Sequence, residues 1–214
     1  MSRRAFLGLA SGRAEIDYEA AAEQVRASDH EPLARAVAPV EAVLREFAAG
    51  DVLELPMTAW RELDLQALPY PDGAFDAVIS AFGAALAPRP RATAAELVRV
   101  VRPGGVVALA AWVPKGLPGR LDELLERPEG VRAPSDWGRQ DVMRERLAPL
   151  LEDLELRTRT VQLRFPDAET FYGVLGAPAR ERAALDRLLA SCNNAVEAVE
   201  IDARYLVGLG RRAA

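Results

Sequence analysis

The stretch from Phe75 to Val113 constrains the fold more than any other part of the sequence. Phe75 to Ser80 is a short apolar run, and Val106 to Val113 is apolar without alternation, which is typical of a strand covered on both faces. Between them, residues 93–101 place apolar side chains three or four apart, as one face of a helix requires. Residues 102–105 (RPGG) end that helix, since proline cannot continue it and glycine accepts a positive φ. Strand, helix and strand in this order predict a parallel βαβ unit and an α/β fold.

Two motifs in this region carry a family resemblance. Residues 68–78 read LPYPDGAFDAV and residues 96–105 read ELVRVVRPGG. With both motifs in this order and at this separation, the chain resembles the class I S-adenosylmethionine-dependent methyltransferases of the small-molecule type. The resemblance implies a Rossmann-like, mostly parallel sheet with an antiparallel C-terminal hairpin, here from residues 154–165 and 198–210. It also implies S-adenosylmethionine as cofactor and a small molecule as methyl acceptor.

The resemblance assigns candidate site residues. Asp64 opens a segment similar to the family's D-x-x-x-L-P, in which the aspartate contacts the adenine amino group, and Leu65 follows it. In the family, the loop after the strand that corresponds to Phe75–Ser80 lies beside the transferred methyl group, so the resemblance implies that Ser80 and Phe82 line this part of the site. Trp137 lies in a segment similar to the family's W-G-x-x-D pattern and is a candidate substrate-wall residue, the alternative being a packing anchor between helix and sheet. No catalytic acid or base is assigned, because methyl transfer depends on positioning.

The chain departs from the family pattern directly after its first predicted strand, residues 51–55. The glycine-rich turn that lets the backbone approach the cofactor is replaced by residues 56–60, PMTAW. Nine residues separate Glu54 from Asp64, too few for two further strands, because each parallel crossover takes about a dozen residues or more. We therefore expect a sheet that lacks some N-terminal strands and a site without a ribose-binding carboxylate. Affinity for S-adenosylmethionine should be weak, since each lost charged hydrogen bond is worth about 1.5–3 kcal/mol.

Two functions of different classes fit these observations. The first is a small-molecule methyltransferase with an impaired cofactor site. The second is a non-catalytic remnant of the fold that acts as a partner subunit or as a ligand-binding module, which the glycine loss and the deletion favour. Asp76 is a candidate base for the first function, but its position at the start of a strand favours a structural role.

The length indicates a single domain over residues 1–214. Residues 1–50 are predicted to form N-terminal helices, which are the available material to cover the sheet edge that the deletion leaves. Residues 115–150 and 166–195 are predicted to be segments that cover the substrate. Apolar surface left by the truncated sheet favours a homodimer.

Composition narrows the possible binding partners and the expected cellular location of the protein. With a net charge of −5 and a pI near 5.1, the chain has no basic field for nucleic acid or anionic lipid. The single cysteine, Cys192, and the single histidine, His30, exclude an internal disulfide and a zinc site of the usual kind. No apolar run is long enough to cross a membrane, so we expect a cytoplasmic protein. Residues 2–7, SRRAFL, resemble a twin-arginine export signal but lack the apolar region that should follow.

Overall fold

The computed structural model describes residues 30–57, 59, 63–124, 133–175 and 179–214. The helices are α1 (His30–Arg45), α2 (Pro90–Arg99), α3 (Leu117–Leu124), α4 (Gln140–Leu147), α5 (Ala168–Leu175) and α6 (Arg182–Cys192). The strands are β1 (Val52–Leu55), β2 (Phe75–Ala81), β3 (Val101–Trp112), β4 (Leu151–Phe165) and β5 (Val199–Arg212). The export-like residues 2–7 and the first predicted N-terminal helix lie outside the described residues.

The strands form one sheet in the order β1-β2-β3-β5-β4. β1, β2 and β3 are parallel, whereas β5 lies antiparallel between β3 and β4. The register places Leu53 beside Val78 and Val78 beside Val107. This arrangement confirms the predicted Rossmann-like α/β sheet, its C-terminal hairpin and the lack of strands beyond β1 in the described part of the chain.

The third strand is longer than the sequence predicted. It begins at Val101, and it therefore includes the residues 102–105 that were expected only to end the preceding helix. Phe75 pairs with Val101, and the register then shifts before Ala77 pairs with Val106. Gly104 has a φ of 76° within this irregular start. The chain pairs with β2 through a bulge here, so a helix-ending signal and a strand beginning overlap.

Two hydrophobic clusters lie on opposite faces of the sheet. Ile79 belongs to the first cluster and Val78 to the second, because successive side chains of a strand point to opposite faces. The first cluster contains buried side chains of α1, α3, α5 and α6, and the second contains those of α2 and α4. The sheet is therefore covered by helices on both sides, as parallel strands require.

Helix α1 packs on a face of the sheet instead of covering the edge, as the sequence had suggested. Val37, Val40 and Leu44 are all fully buried in the first cluster, and the helix contacts β2, β3 and β4. Its link to the edge strand is a pair of bonds from Arg45 Nε and Nη2 to the carboxylate of Glu54, at 2.9 and 2.6 Å. The apolar stripe of α1 explains this position, since a face buries more apolar area than an edge does.

The described surface offers little apolar material for self-association. Val196 is the one large hydrophobic side chain that is exposed among the described residues. The physical reason given for the homodimer is therefore not found in this part of the chain, and the homodimer itself stays a prediction. None of the described helices has both the length and the apolar character that crossing a membrane demands.

Candidate functional site

The candidate site lies where β1 and β2 end. Leu55 pairs with Ser80, so the turns that follow, beginning at Pro56 and Phe82, leave the sheet side by side. In open α/β sheets the carboxyl ends of parallel strands form the edge at which ligands bind. The fold therefore brings the turn after β1, which lacks the family's glycines, together with two of the predicted site residues, Ser80 and Phe82.

Ser80 and Phe82 are held firmly by their surroundings. Ser80 is 1% exposed, and its Oγ accepts a 3.0 Å hydrogen bond from the backbone N–H of Ala84. Phe82 has a left-handed φ of 66°, which is rare for a bulky residue. Its N–H donates to the carbonyl of Ala110 at 3.0 Å. The ring of Phe82 is thereby fixed over the end of β3.

The next residue, Gly83, touches the turn that replaces the family's glycine-rich loop. A Cβ built on Gly83 would lie 2.6 Å from the carbonyl oxygen of Pro56 and 3.3 Å from that of Leu55. Met57 is 7% exposed and packs in the first cluster. The backbone of one turn thus lies directly against that of the other, and the Met57 side chain is buried behind them.

Asp64 and Leu65 differ in their availability to a ligand. Asp64 is partly exposed, and its Oδ1 accepts bonds from the backbone N–H and the Nε2 of Gln66 at 2.9 and 3.1 Å. Among the described residues nothing bonds to its Oδ2. Leu65 is 2% exposed and belongs to the second cluster. Asp64 can therefore accept a further hydrogen bond, whereas the Leu65 side chain is part of the core.

Trp137 and Phe82 belong to different hydrophobic clusters. It is 2% exposed and lies in the second cluster, with the guanidinium carbon of Arg146 4.5 Å from the centre of its ring. A Cβ on the adjacent Gly138 would lie 1.8 Å from the carbonyl oxygen of Trp112, so this segment packs tightly on the end of β3. These contacts fit a packing anchor, the alternative stated for Trp137, and its role in a substrate wall stays a prediction.

Asp76 lies at the opposite end of β2 from the candidate site. Its Oδ2 accepts a 2.8 Å bond from the N–H of Asp51, and its Oδ1 accepts a 2.6 Å bond from Arg102 Nη1. These bonds join the starts of β1, β2 and β3. Asp76 thus has the structural role that its place in the motif had favoured.

Two further aromatic side chains near the strand ends were missed by the sequence analysis. Trp112, the last residue of β3, stacks on Phe82 with ring centres 3.9 Å apart and planes 12° from parallel. Tyr205 of β5 meets Phe82 edge-on at 6.2 Å. Trp112 stood at a predicted strand end and could have been noted, but the approach of Tyr205 depends on the register between β3 and β5.

The segments predicted to cover the substrate are joined by polar contacts. The hydroxyl of Tyr172 in α5 donates to Asp186 in α6, and burial, followed by this bond, raises the pKa of Tyr172 to about 12. Arg120 of α3 donates from Nη1 to Ser191 Oγ at 2.7 Å. Among the described residues no cluster of three metal-ligating side chains occurs.

A separate groove of about 590 Å³ lies between α1 and β4. Two arginines on its rim, Arg35 and Arg164, form ion pairs with Glu31 and Glu200. The groove is open to solvent, and both of these arginines already have a counter-ion.

The described residues fit S-adenosylmethionine only in part. The Oδ2 of Asp64 is a suitable acceptor for an adenine amino group, and the side chains of Ser80 and Phe82 are buried. The contact between Gly83 and Pro56, however, closes the space between the ends of β1 and β2. The described residues between Leu55 and Asp64 also carry no carboxylate for the ribose. Cofactor binding would therefore require the two turns to separate.

Comparison with known proteins shows which family the chain resembles. A family model described as a methyltransferase domain matches residues 7–109. The chain is 37% identical over 154 residues to the Mycobacterium tuberculosis protein Rv1403c, covering 69% of this chain and 52% of that protein. It is 38% identical over 80 residues to phosphatidylethanolamine N-methyltransferase of Cereibacter sphaeroides, covering 37% and 35%. The chain thus spans about half the length of the first of these relatives.

Solved structures show the same fold at low sequence identity. The Bacillus subtilis protein YcgJ superposes with a TM-score of 0.52 at 13% identity, covering 82% of this chain and 98% of YcgJ. The Bacillus halodurans protein BH2331, described as a methyltransferase, gives a TM-score of 0.50 at 14% identity and covers 83% and 99%. By its sequence match, its two motifs and its sheet, the chain resembles the class I S-adenosylmethionine-dependent methyltransferase family.

Proposed function

We propose that this chain binds S-adenosylmethionine weakly at the ends of β1 and β2 and takes part in methyl transfer to a small molecule. The observation that carries the proposal is the side-by-side exit of two parallel strands, with Ser80 and Phe82 at the end of one and a turn leading to Asp64 after the other. This is the edge at which α/β sheets bind their ligands. When bound, S-adenosylmethionine supplies an activated methyl group on sulfur.

The residues of the chain would act by binding and positioning. Asp64 Oδ2 would accept a hydrogen bond from the adenine amino group. Ser80 and Phe82, which are 1% and 2% exposed, would form a wall that excludes water. No acid or base is needed from the protein, since alignment of the acceptor with the methyl group supplies most of the catalysis.

The proposal includes a low affinity. Two interactions typical of the family have no counterpart among the described residues, namely the ribose carboxylate and the glycine-rich turn. A loss of about 1.5–3 kcal/mol for each weakens binding about 10²- to 10⁴-fold. For a starting dissociation constant of about 10 μM, which lies in the range usual for enzymes, this corresponds to values of about 1 mM or more.

The test is thermal unfolding of the whole chain with increasing S-adenosylmethionine and S-adenosylhomocysteine. We expect the unfolding temperature to rise at millimolar and not at micromolar cofactor, because a ligand stabilises the native state by RT ln(1 + [L]/Kd). Asp64→Asn should reduce this rise. Asp153→Asn is a matched control, since Asp153 is exposed and has a φ of 52° that asparagine tolerates. No stabilisation by about 10 mM of either compound would refute the proposal.

A second function is favoured by one specific observation. The close contact of Gly83 with Pro56 and the burial of Met57 fill the place where the family's glycine-rich turn admits the cofactor. A non-catalytic subunit or ligand-binding module would keep such a closed turn. The same titration separates the two functions, because this one predicts no response to either compound in the wild-type chain or in Asp64→Asn.

A further inference from the structure

A row of side chains crosses one face of the sheet at the level of the candidate site. Phe82 stacks on Trp112, Trp112 pairs with Tyr205 across the β3–β5 ladder, and Tyr205 pairs with Arg159 across the β5–β4 ladder. Residues directly opposite each other on neighbouring strands project from the same face. The four residues, named here the aromatic row, therefore run side by side from the end of β2 to the outer strand β4.

The aromatic end of the row is built rigidly and is partly open. Phe82 keeps a left-handed φ of 66°, a conformation that costs about 1–3 kcal/mol and that is found most often at functional sites. In this conformation its ring covers Trp112. Trp112 nevertheless remains partly exposed, whereas Tyr205 is 3% exposed. A ligand would thus approach the row at Trp112.

The other end of the row carries a positive charge for which the described residues provide no partner. Arg159 is partly buried and forms no hydrogen bond or ion pair with any described residue. Two other arginines of β4 are paired, Arg157 with Glu155 and Arg164 with Glu200. The charge of Arg159 reaches the row, since it opposes the rise that burial causes in the pKa of Tyr205. A guanidinium in this position favours an anionic group, which it binds with paired hydrogen bonds.

We propose that the aromatic row binds the methyl acceptor, and that this acceptor is a planar aromatic compound carrying an anionic group such as a carboxylate. This inference rests on the proposed function and gives it a substrate class. The ring would stack against Trp112 and the anion would bond to Arg159, whose backbone lies two strand spacings away, or about 10 Å. The four residues of the row include no carboxylate to attract a cationic amine, and an aliphatic acid would lose the stacking.

The test measures binding of 4-hydroxybenzoate to the whole chain by ligand-observed NMR titration, in the absence of S-adenosylmethionine. We expect cyclohexanecarboxylate, of similar size and equal charge, to bind about threefold to tenfold more weakly, because it cannot stack. Benzylamine should bind at least about tenfold more weakly, because its charge is repelled by Arg159.

Substitutions inside and outside the aromatic row then show whether 4-hydroxybenzoate binds there. Arg159→Gln should weaken 4-hydroxybenzoate binding about tenfold or more, and Trp112→Leu about threefold to tenfold. Arg157→Gln is the charge control, since Arg157 is already paired with Glu155. Tyr70→Leu is the aromatic control, since Tyr70 contacts Phe75 edge-on at the start of β2. Both controls should bind as the wild type does.

The inference is overturned if benzylamine or cyclohexanecarboxylate binds as well as 4-hydroxybenzoate, or if Arg159→Gln leaves the affinity unchanged. Should Trp112→Leu fail to fold, Arg159→Gln and the three probes still decide the matter. Failure of the proposed function has a different signature. In that case 4-hydroxybenzoate binds and responds to Arg159→Gln, while S-adenosylmethionine gives no thermal stabilisation.

Discussion

Phe82 and Gly83 show how two adjacent residues shape the candidate site. Phe82 adopts a left-handed conformation that favours glycine, and Gly83 provides the space that lets the β1 turn approach. The strain at Phe82 is offset in part by its stacking on Trp112, which is worth about 0.5–1.5 kcal/mol beyond the area buried. The close packing of the two turns thus depends on a residue without a side chain at position 83.

Gly83→Ala should destabilise the chain by about 1–3 kcal/mol, because the new methyl group meets backbone atoms that cannot rotate away. Urea denaturation measures this change. Gly173→Ala is the control, since Gly173 is exposed in α5 with no atom within 4 Å of a built Cβ. There, alanine should stabilise the helix by about 0.5–1 kcal/mol. Equal stability of Gly83→Ala and the wild type would show that the two turns are not in contact.

The end of β2 could be located from the sequence, but the side chains that lie next to it could not. Ser80 and Phe82 could be placed because a parallel strand ends there and its loop must face the ligand edge. The partnership of Trp112 with Tyr205 and Arg159 could not be inferred, because it depends on the register of strands far apart in sequence. The burial of Trp137 was also undecided, since a tryptophan suits a substrate wall and a core equally well.

The two family motifs are joined by hydrogen bonds in the structure, and this set of bonds is named here the clamp. Arg99 at the end of α2 donates to the carbonyls of Leu68 and Tyr70 at 3.1 and 2.8 Å, and to Asp72 at 2.7 Å. Glu96 of the same helix accepts from Arg99 Nε at 2.7 Å and from the N–H of Leu68 at 2.8 Å. The motifs that reveal the family therefore hold α2 against the segment that enters β2. Their presence reports on folding and does not by itself imply catalysis.

Glu96→Gln should lower the stability at neutral pH by about 1–2 kcal/mol. The bond from Arg99, and to a lesser extent that from the Leu68 N–H, hold the pKa of Glu96 below its ordinary value. A carboxylate with a depressed pKa stabilises the native state above the unfolded value, about 4.3, and loses this contribution as the pH falls through the folded value.

Chemical denaturation between about pH 7 and pH 3 measures this contribution. The wild type should lose more stability over this range than Glu96→Gln. Glu155→Gln, which removes an exposed ion pair with Arg157, should follow the wild type closely. If Glu96→Gln and the wild type show the same pH dependence, the clamp is not formed by the carboxylate.

Most elements could be predicted from their periodicity, and the errors lie where signals overlap. β3 starts earlier than expected because glycines that usually end a helix also permit a bulge in a strand. The position of α1 on a face could not be predicted, since its apolar stripe indicates burial without indicating against which surface.

At the scale of the molecule, the end of the last strand, β5, also stabilises the sheet. Arg212, at the end of β5, donates from Nη1 to the carbonyls of Arg99 and Val101 at 2.7 and 2.6 Å. These carbonyls lie where α2 passes into β3. The end of the chain thus satisfies backbone acceptors in its centre, and this contact joins the antiparallel half of the sheet to the parallel half.

Arg212→Ala should destabilise the whole domain by about 1–3 kcal/mol, because it leaves two carbonyls without a charged donor. A urea titration followed by circular dichroism measures the loss. Arg211→Ala is the matched control, since exposed Arg211 makes one 3.0 Å bond to the carbonyl of Gly104, and it should cost less than about 1 kcal/mol. Equal losses in the two variants would argue against a special role for Arg212.

The bulge in β4 has a consequence for the behaviour of the protein at high concentration. β4 is a 15-residue strand at the border of the sheet, and such a border can recruit other chains into cross-β fibrils. Asp153, with a φ of 52°, interrupts the ladder between Glu152 and Glu155. Because of this interruption and the flanking charges, an incoming strand finds no flat edge along which it could pair with β4. We expect the native protein to resist fibril formation, and a variant that straightens this segment to be the first to aggregate.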